Sequence, residues 1–211
     1  MTEDEARAWL EHTLHVPRET STRLSLFLSF LKEEALTQNL VARSTLEAAW
    51  SRHIVDSAQL VPLAPAAAKG PWVDLGSGAG FPGLVIAAIS KAQVTLVEER
   101  RKRVEFLARA IEILEIGKST TIFAGRAETL PATRFDVISA RAFAPLEKLF
   151  AIAARLSKAE TVWLLPKGRS AQAELEAARV TWQGEFRLEP SVTDPDSAIL
   201  VARNVRPREQ R

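Results

Sequence analysis

The chain has 211 residues, 46% of them hydrophobic and 26% charged, with a formal net charge of +2 and no cysteine. That length supports one sizeable core, so a single α/β domain with a modest extension is expected. The lack of cysteine excludes a disulfide framework, a thiolate metal site and a thiol nucleophile, and so small a net charge does not announce a nucleic-acid binder.

The amino terminus, Met1-Thr-Glu-Asp-Glu5, is acidic and carries no secretory signal. No run approaches the roughly 20 apolar residues of a membrane span, so a soluble, cytoplasmic chain with no membrane partner is expected. Thr2-Glu-Asp-Glu5 reads as a capping box opening a helix with Ala6, Trp9, Leu10 and Leu14 on one side. A second helix follows Pro17, with Leu24, Phe27, Leu28 and Leu31 at helical spacing. Ser44-Thr-Leu-Glu47 reads as another capping box, predicting a third helix through Trp50, Arg52, His53, Asp56 and Leu60. Residues 1–65 are therefore expected to form a helical extension, closed by the Pro/Ala stretch from Pro62.

From Trp72 the pattern changes to alternating strand and helix. Strands are predicted at Trp72 to Leu75, Val94 to Glu98, Thr120 to Ala124, Asp136 to Ala140 and Val162 to Leu165. Helices follow the first, second, fourth and fifth of these, which implies βαβ units and a mostly parallel sheet over residues 66–211. Gly184 to Leu188 and Ala198 to Val201 lack a helix between them and predict an antiparallel hairpin at the sheet edge. The expected fold class is α/β, Rossmann-like, with seven strands.

The stretch Trp72-Val-Asp74-Leu-Gly76-Ser-Gly78-Ala-Gly80-Phe-Pro82-Gly83 packs a buried strand, a glycine turn and a helix start into a dozen positions. Its glycines let the backbone turn tightly and approach a ligand, and free N–H groups at a helix start receive polar or anionic groups. Gly78-Ala-Gly80-Phe-Pro-Gly83 satisfies the dinucleotide fingerprint, with Glu98 as the acid about 20 residues on. Asp74 with Gly76, Gly78 and Gly80 fits equally the D-x-G-x-G-x-G loop of S-adenosylmethionine enzymes. Three functions compete: an S-adenosylmethionine-dependent methyltransferase, an NAD-dependent oxidoreductase, and a non-catalytic RNA-binding or assembly factor. The terminal hairpin and the lack of a second substrate domain favour the methyltransferase over the oxidoreductase, and the intact glycine loop argues against a decayed fold.

Several stretches together resemble one family. Arg52-His53-Ile-Val-Asp56-Ser57, the loop from Asp74 to Gly83, Val94 to Glu98 with Lys102, Gly125-Arg-Ala-Glu128, Ala140-Arg141-Ala-Phe143 and Leu165-Pro-Lys167-Gly168 occur in the order seen in the glucose-inhibited division protein B family. Its members are bacterial 16S ribosomal RNA guanine-N7 methyltransferases. The resemblance implies a Rossmann-like class I methyltransferase domain, S-adenosylmethionine as methyl donor and small-subunit ribosomal RNA, or the small subunit itself, as partner. It also implies cofactor contacts at Gly76, Phe81, Ala127, Glu128 and Arg141. Asp74, Gly78 and Gly80 join them from the loop, and Glu98 is placed to accept from both ribose hydroxyls.

Arg141, at the end of the fourth strand, suits either the methionine carboxylate or an RNA phosphate, and Arg126 is a second candidate of the same kind for the reacting centre. The bland alternative for Arg141 is an ion pair with Asp74 or Asp136. Arg52, Lys102, Lys167, Arg169 and the arginine-rich stretch from 203 are expected to meet RNA, as is His53 unless it is packed inside. No zinc spacing appears, so no metal is expected. Guanine N7 presents a lone pair and no proton, so transfer needs positioning rather than a general base. A monomer is expected.

Overall fold

The computed structural model describes residues 1–65 and 70–209. The expected boundary at 65/66 therefore borders undescribed residues, and the last two residues of the basic stretch lie outside the described ones. In α1 (Glu3–His12) the capping box forms as written: the Thr2 hydroxyl accepts from the Glu5 N–H at 3.2 Å and the Glu5 carboxylate accepts from the Thr2 N–H at 2.8 Å. The helix ends before Leu14, so its buried side is Ala6 and Leu10. Pro17 precedes α2 (Arg18–Glu34), which buries Leu24, Phe27, Leu28 and Leu31 as the spacing predicts.

The third helix is a correction. Ser44 caps nothing; Arg43–Thr45 is a single tight turn, and the chain then enters a widened helical turn at Trp50–Val55 that runs into the short α3 (Asp56–Ala58). Its leading amide donors are met from a distance in sequence, with the Glu3 carboxylate of α1 accepting from Trp50 N at 3.1 Å and Ser51 N at 3.0 Å. A carboxylate at a helical amino end satisfies orphan N–H groups and complements the helix dipole. The local capping signal lost to this tertiary cap.

Seven strands follow: β1 (Pro71–Leu75), β2 (Gln93–Glu98), β3 (Thr120–Ala124), β4 (Val137–Ser139), β5 (Val162–Lys167), β6 (Trp182–Pro190) and β7 (Ala198–Pro207). Between them lie α4 (Gly83–Ile89), α5 (Arg101–Leu114), α6 (Leu146–Ala153) and α7 (Ala171–Ala178). Their order in the sheet is β3-β2-β1-β4-β5-β7-β6, parallel except for β7, which is antiparallel to both β5 and β6. The hairpin strands run past their predicted ends, so Arg203 and Arg206 belong to β7 rather than to a free tail. Sequence order reverses between β1 and β4, where an open α/β sheet leaves a crevice at its carboxyl edge.

Side chains alternate between the two faces. Trp72, Val94, Leu96, Val137 and Leu164 point into one core with Leu84, Phe106 and Leu107, and the extension's Leu24, Phe27, Leu31 and Ile54 complete it. Val73, Leu75, Val97, Ile138 and Trp163 enter the other, against Leu146, Phe150 and Leu175 of α6 and α7. The extension shares the α4/α5 core, with Phe30 stacked on Phe106 at 5.0 Å and Phe27 against Phe81 at 5.6 Å. Each such large side chain, once fully buried, contributes roughly 1.5–3 kcal/mol. The extension is thereby held over the carboxyl edge of the sheet. No helix among the described residues is long and apolar enough to cross a membrane.

Candidate functional site

β1 ends in the glycine loop, and Asp74 shapes it from behind. The Asp74 side chain is fully buried, its Oδ1 accepting from the Ser139 hydroxyl at 2.9 Å and its Oδ2 from the Gly83 N–H at 3.2 Å, which ties the start of α4 to β1. The same Ser139 hydroxyl accepts from the Trp72 indole N–H at 2.9 Å, locking β1 to β4. Burial pushes the Asp74 carboxyl up to about 6, against the pull of hydrogen bonds from Ser139, Ser77 and Gly83 and of the Arg141 charge. An ionised carboxylate here is held by the loop it organises.

Gly76 adopts φ +68°, and a Cβ there would lie 2.5 Å from the Phe143 ring. Gly78, at φ +58°, is less crowded: a Cβ there would have only the Arg103 guanidinium and the Gly76 carbonyl within 4 Å, both at 3.7 Å. Both conformations belong to the left-handed region that favours glycine. The loop thus leaves half-buried backbone at Gly76 and Gly78 beyond the tip of β1.

Glu98 stands at the end of β2 beside that backbone. Its Oε2 accepts from the Gly78 N–H at 3.0 Å and its Oε1 from the Arg100 N–H at 2.9 Å, with Arg103 at 3.9 Å. The carboxylate is 4% exposed and fixed in position, with lone pairs left for further donors. Beyond β3, Ala127 is buried in a helical turn, and the Arg155 guanidinium donates to the carbonyls of Ala127 and Glu128 at 2.8 and 2.9 Å. Arg155 was not among the expected residues. Its only sequence signal is a charge closing the apolar run from Leu149 to Ala154. Glu128 is exposed and pairs with Arg126 at 3.3 Å, so Arg126 sits at the outer rim of this wall and does not approach Arg141's cluster through any described bond.

Arg141 is the hub between sheet and extension. Its guanidinium meets Asp56 Oδ2 at 3.2 Å, the Arg52 carbonyl at 3.3 Å and His53 Nδ1 at 3.4 Å, and lies 5.0 Å over the Phe81 ring. The anticipated ion pair therefore exists with a different partner: Asp56 of the extension, rather than Asp74 or Asp136. Asp136 is taken by Lys158 at 2.6 Å. His53 lies inside, 5% exposed, stacked on Phe81 at 4.8 Å with its Nε2 2.9 Å from the Thr45 hydroxyl. Burial, then the charges of Arg141 and Arg52, push its imidazole down to about 3, so it is neutral at physiological pH. A neutral ring packs face to face with Phe81 and presents Nδ1 to a guanidinium without repulsion.

The remaining cations fall into two groups. Arg52 pairs with Asp194 at 3.1 Å and Lys167 with Glu174 at 2.8 Å, both along a cleft of about 830 Å³. Arg169 is 83% exposed and pairs with Asp196 at 2.7 Å, while Lys102 is exposed in the first turn of α5, with no ion pair among the described residues. Loop, acid, arginine hub and rim cations thus converge at one edge of the sheet.

Residues 20–194 match the family described as GidB, rRNA small subunit methyltransferase G. The chain belongs to that family. It is 53% identical over 209 residues to the ribosomal RNA small subunit methyltransferase G of Rhizorhabdus wittichii, covering 99% of this chain and 95% of that one. The protein of the same name from Zymomonas mobilis is 50% identical over 218 residues, covering 100% and 98%. Among solved structures, the fold is shared with a putative O-methyltransferase from Klebsiella pneumoniae (TM-score 0.59, 17% identity, 86% of this chain and 90% of that). The glycopeptide N-methyltransferase MtfA complexed with S-adenosylmethionine gives a TM-score of 0.58 at 10% identity, covering 71% and 93%. The glycine loop, Glu98 and Arg141 with its partners in the Arg52 to Ser57 segment all lie within the matched residues.

Proposed function

We propose that the crevice between β1, β2 and β4 binds S-adenosylmethionine and that the chain transfers its methyl group to N7 of a guanine in 16S ribosomal RNA. The carrying observation is a half-buried, left-handed glycine turn at Gly78 whose N–H is held by a buried, fixed carboxylate, Glu98, at the end of the neighbouring strand. A ribose diol offers two O–H donors to such a carboxylate. Membership in the methyltransferase G family selects this ligand over NAD. When bound, the cofactor supplies an electrophilic methyl on a sulfonium centre.

This chain's residues bind and orient. Gly76, Gly78 and Gly80 give close backbone approach, Asp74 holds the loop's shape from beneath, and Phe81 forms an apolar wall with His53 behind it. Ala127 and Glu128, fixed by Arg155, border the nucleoside end. Arg141 holds the carboxylate of the methionine part, its charge complementing that anion in a site only partly open to water. Arg126, at the outer rim, meets RNA rather than the reacting atoms. No residue takes a proton from guanine N7, which carries none, so turnover depends on alignment. Lys102 and Arg169 meet phosphates and contribute salt-dependent affinity, Arg52 and Lys167 face the RNA from the cleft, and His53 acts through Arg141 and Phe81.

Titration calorimetry with S-adenosylmethionine, its demethylated product and NAD tests the cofactor. Micromolar binding of the first two without NAD is expected; NAD binding alone would overturn the reading. The acceptor atom is checked by borohydride and aniline treatment, which cleaves RNA at N7-methylguanosine. Cleavage should appear only after incubation with enzyme and donor.

A further inference from the structure

The cleft of about 830 Å³ meets the cradle at Arg141 and Phe143, but none of the loop glycines nor Glu98 lines it. Its walls come from the extension (Arg52 to Gln59), the segment after β4, the end of β5 and the β6–β7 connection. Six side chains of formal charge line it, and they form three pairs: Arg141 with Asp56, Arg52 with Asp194 and Lys167 with Glu174. With His53 neutral, the cleft carries no net charge.

Unlike the solvent-screened Arg169–Asp196 pair at the rim, the Arg141–Asp56 and Lys167–Glu174 pairs are largely buried, so a phosphate entering here would have to displace a carboxylate held there. A guanine base is neutral and alternates acceptors, N7 and O6, with donors, N1–H and the N2 amino group. It can lie against both members of such pairs. One aromatic ring is available to stack on it: Phe143, partly buried, lining the cleft and packed over Gly76. Ala142, at φ +51°, turns the chain sharply just before it. Deepening the methyltransferase reading on which it rests, we propose that this cleft is the pocket for the acceptor guanine base, with Phe143 as its stacking platform, and that RNA phosphates stay outside it. The base then lies beside the methionine end of the cradle, where alignment with a methyl group requires it.

The test uses the full-length protein and small ribosomal subunits from cells lacking this methylation, with calorimetry of S-adenosylmethionine run beside the kinetics. Stacking on an aromatic side chain is worth about 1–3 kcal/mol, or roughly 5- to 150-fold. F143L should lower kcat/KM for the subunit by about tenfold or more while its affinity for S-adenosylmethionine stays within about twofold of wild type, and F143Y should restore most of the loss. Wild-type turnover in F143L would overturn the proposal. Independently, K167Q should leave the slope of log binding against log salt unchanged; a slope smaller by about one would place a phosphate in the cleft and also overturn it. Failure of the wild-type protein to bind S-adenosylmethionine would instead remove the methyltransferase reading beneath it.

Discussion

The cradle and the extension face each other across Arg141 and were built by different means. The cradle is local: a buried strand, three glycines at positive φ and a helix start lie within a dozen residues, and every backbone requirement is written beside the residue that meets it. The extension's inner turn is non-local. Its amide donors are capped by Glu3, 47 and 48 positions away, and its Asp56 reaches Arg141, 85 positions on. The cradle can be read along the chain, whereas the extension acquires its function only when α1 and β4 close on it.

Breaking the cradle should have the largest effect. In G76A a Cβ meets the Phe143 ring at a left-handed backbone position, and we expect a loss of about 2–4 kcal/mol in urea unfolding together with loss of S-adenosylmethionine binding by calorimetry. Breaking the bridge comes next. R141A should abolish methyl transfer while circular dichroism shows the fold retained, and wild-type turnover would refute the assigned role. Breaking the extension's cap should act on stability: E3A leaves the Trp50 and Ser51 amides without their partner and should cost about 1–2 kcal/mol in the unfolding midpoint, with the cofactor affinity little changed.

A pH series sharpens the contrast further. His53 is held neutral down to about 3 in the fold, while in the unfolded chain it takes up a proton below about 6.5. The unfolded state then binds more protons, so this group's contribution to stability is present above about 6.5 and is lost as pH falls from there toward 3. H53Q should flatten the stability profile over that window. Asp74 works in the opposite sense, because a carboxyl raised to about 6 contributes most at low pH and loses that contribution as pH rises from about 4 to 6. The smallest effect is expected at the rim: K102Q should reduce the salt slope of RNA binding by about one without changing the fold.

Much of this architecture was legible beforehand. The strand and helix alternation, the terminal hairpin and the glycine loop follow from periodicity, and periodicity survives folding because both sheet faces are buried. The turn at Trp50–Val55 was not legible, because Ser44 and Glu47 offered a local cap that tertiary contacts overrode. Arg155 escaped notice for the same reason: its two carbonyl partners lie 27 and 28 residues away.

By itself, the sequence determined which residues must turn, which must be buried, and that an acid would stand at the end of β2, since these follow from φ preferences and side-chain alternation that act over a few positions. Only the tertiary structure decided which carboxylate holds Arg141, that His53 is neutral and hidden, and that the cleft cations are paired. Charge and hydrogen-bond partners are chosen by distance in space, and desolvation, which fixes their protonation, exists only after the extension has packed on the sheet.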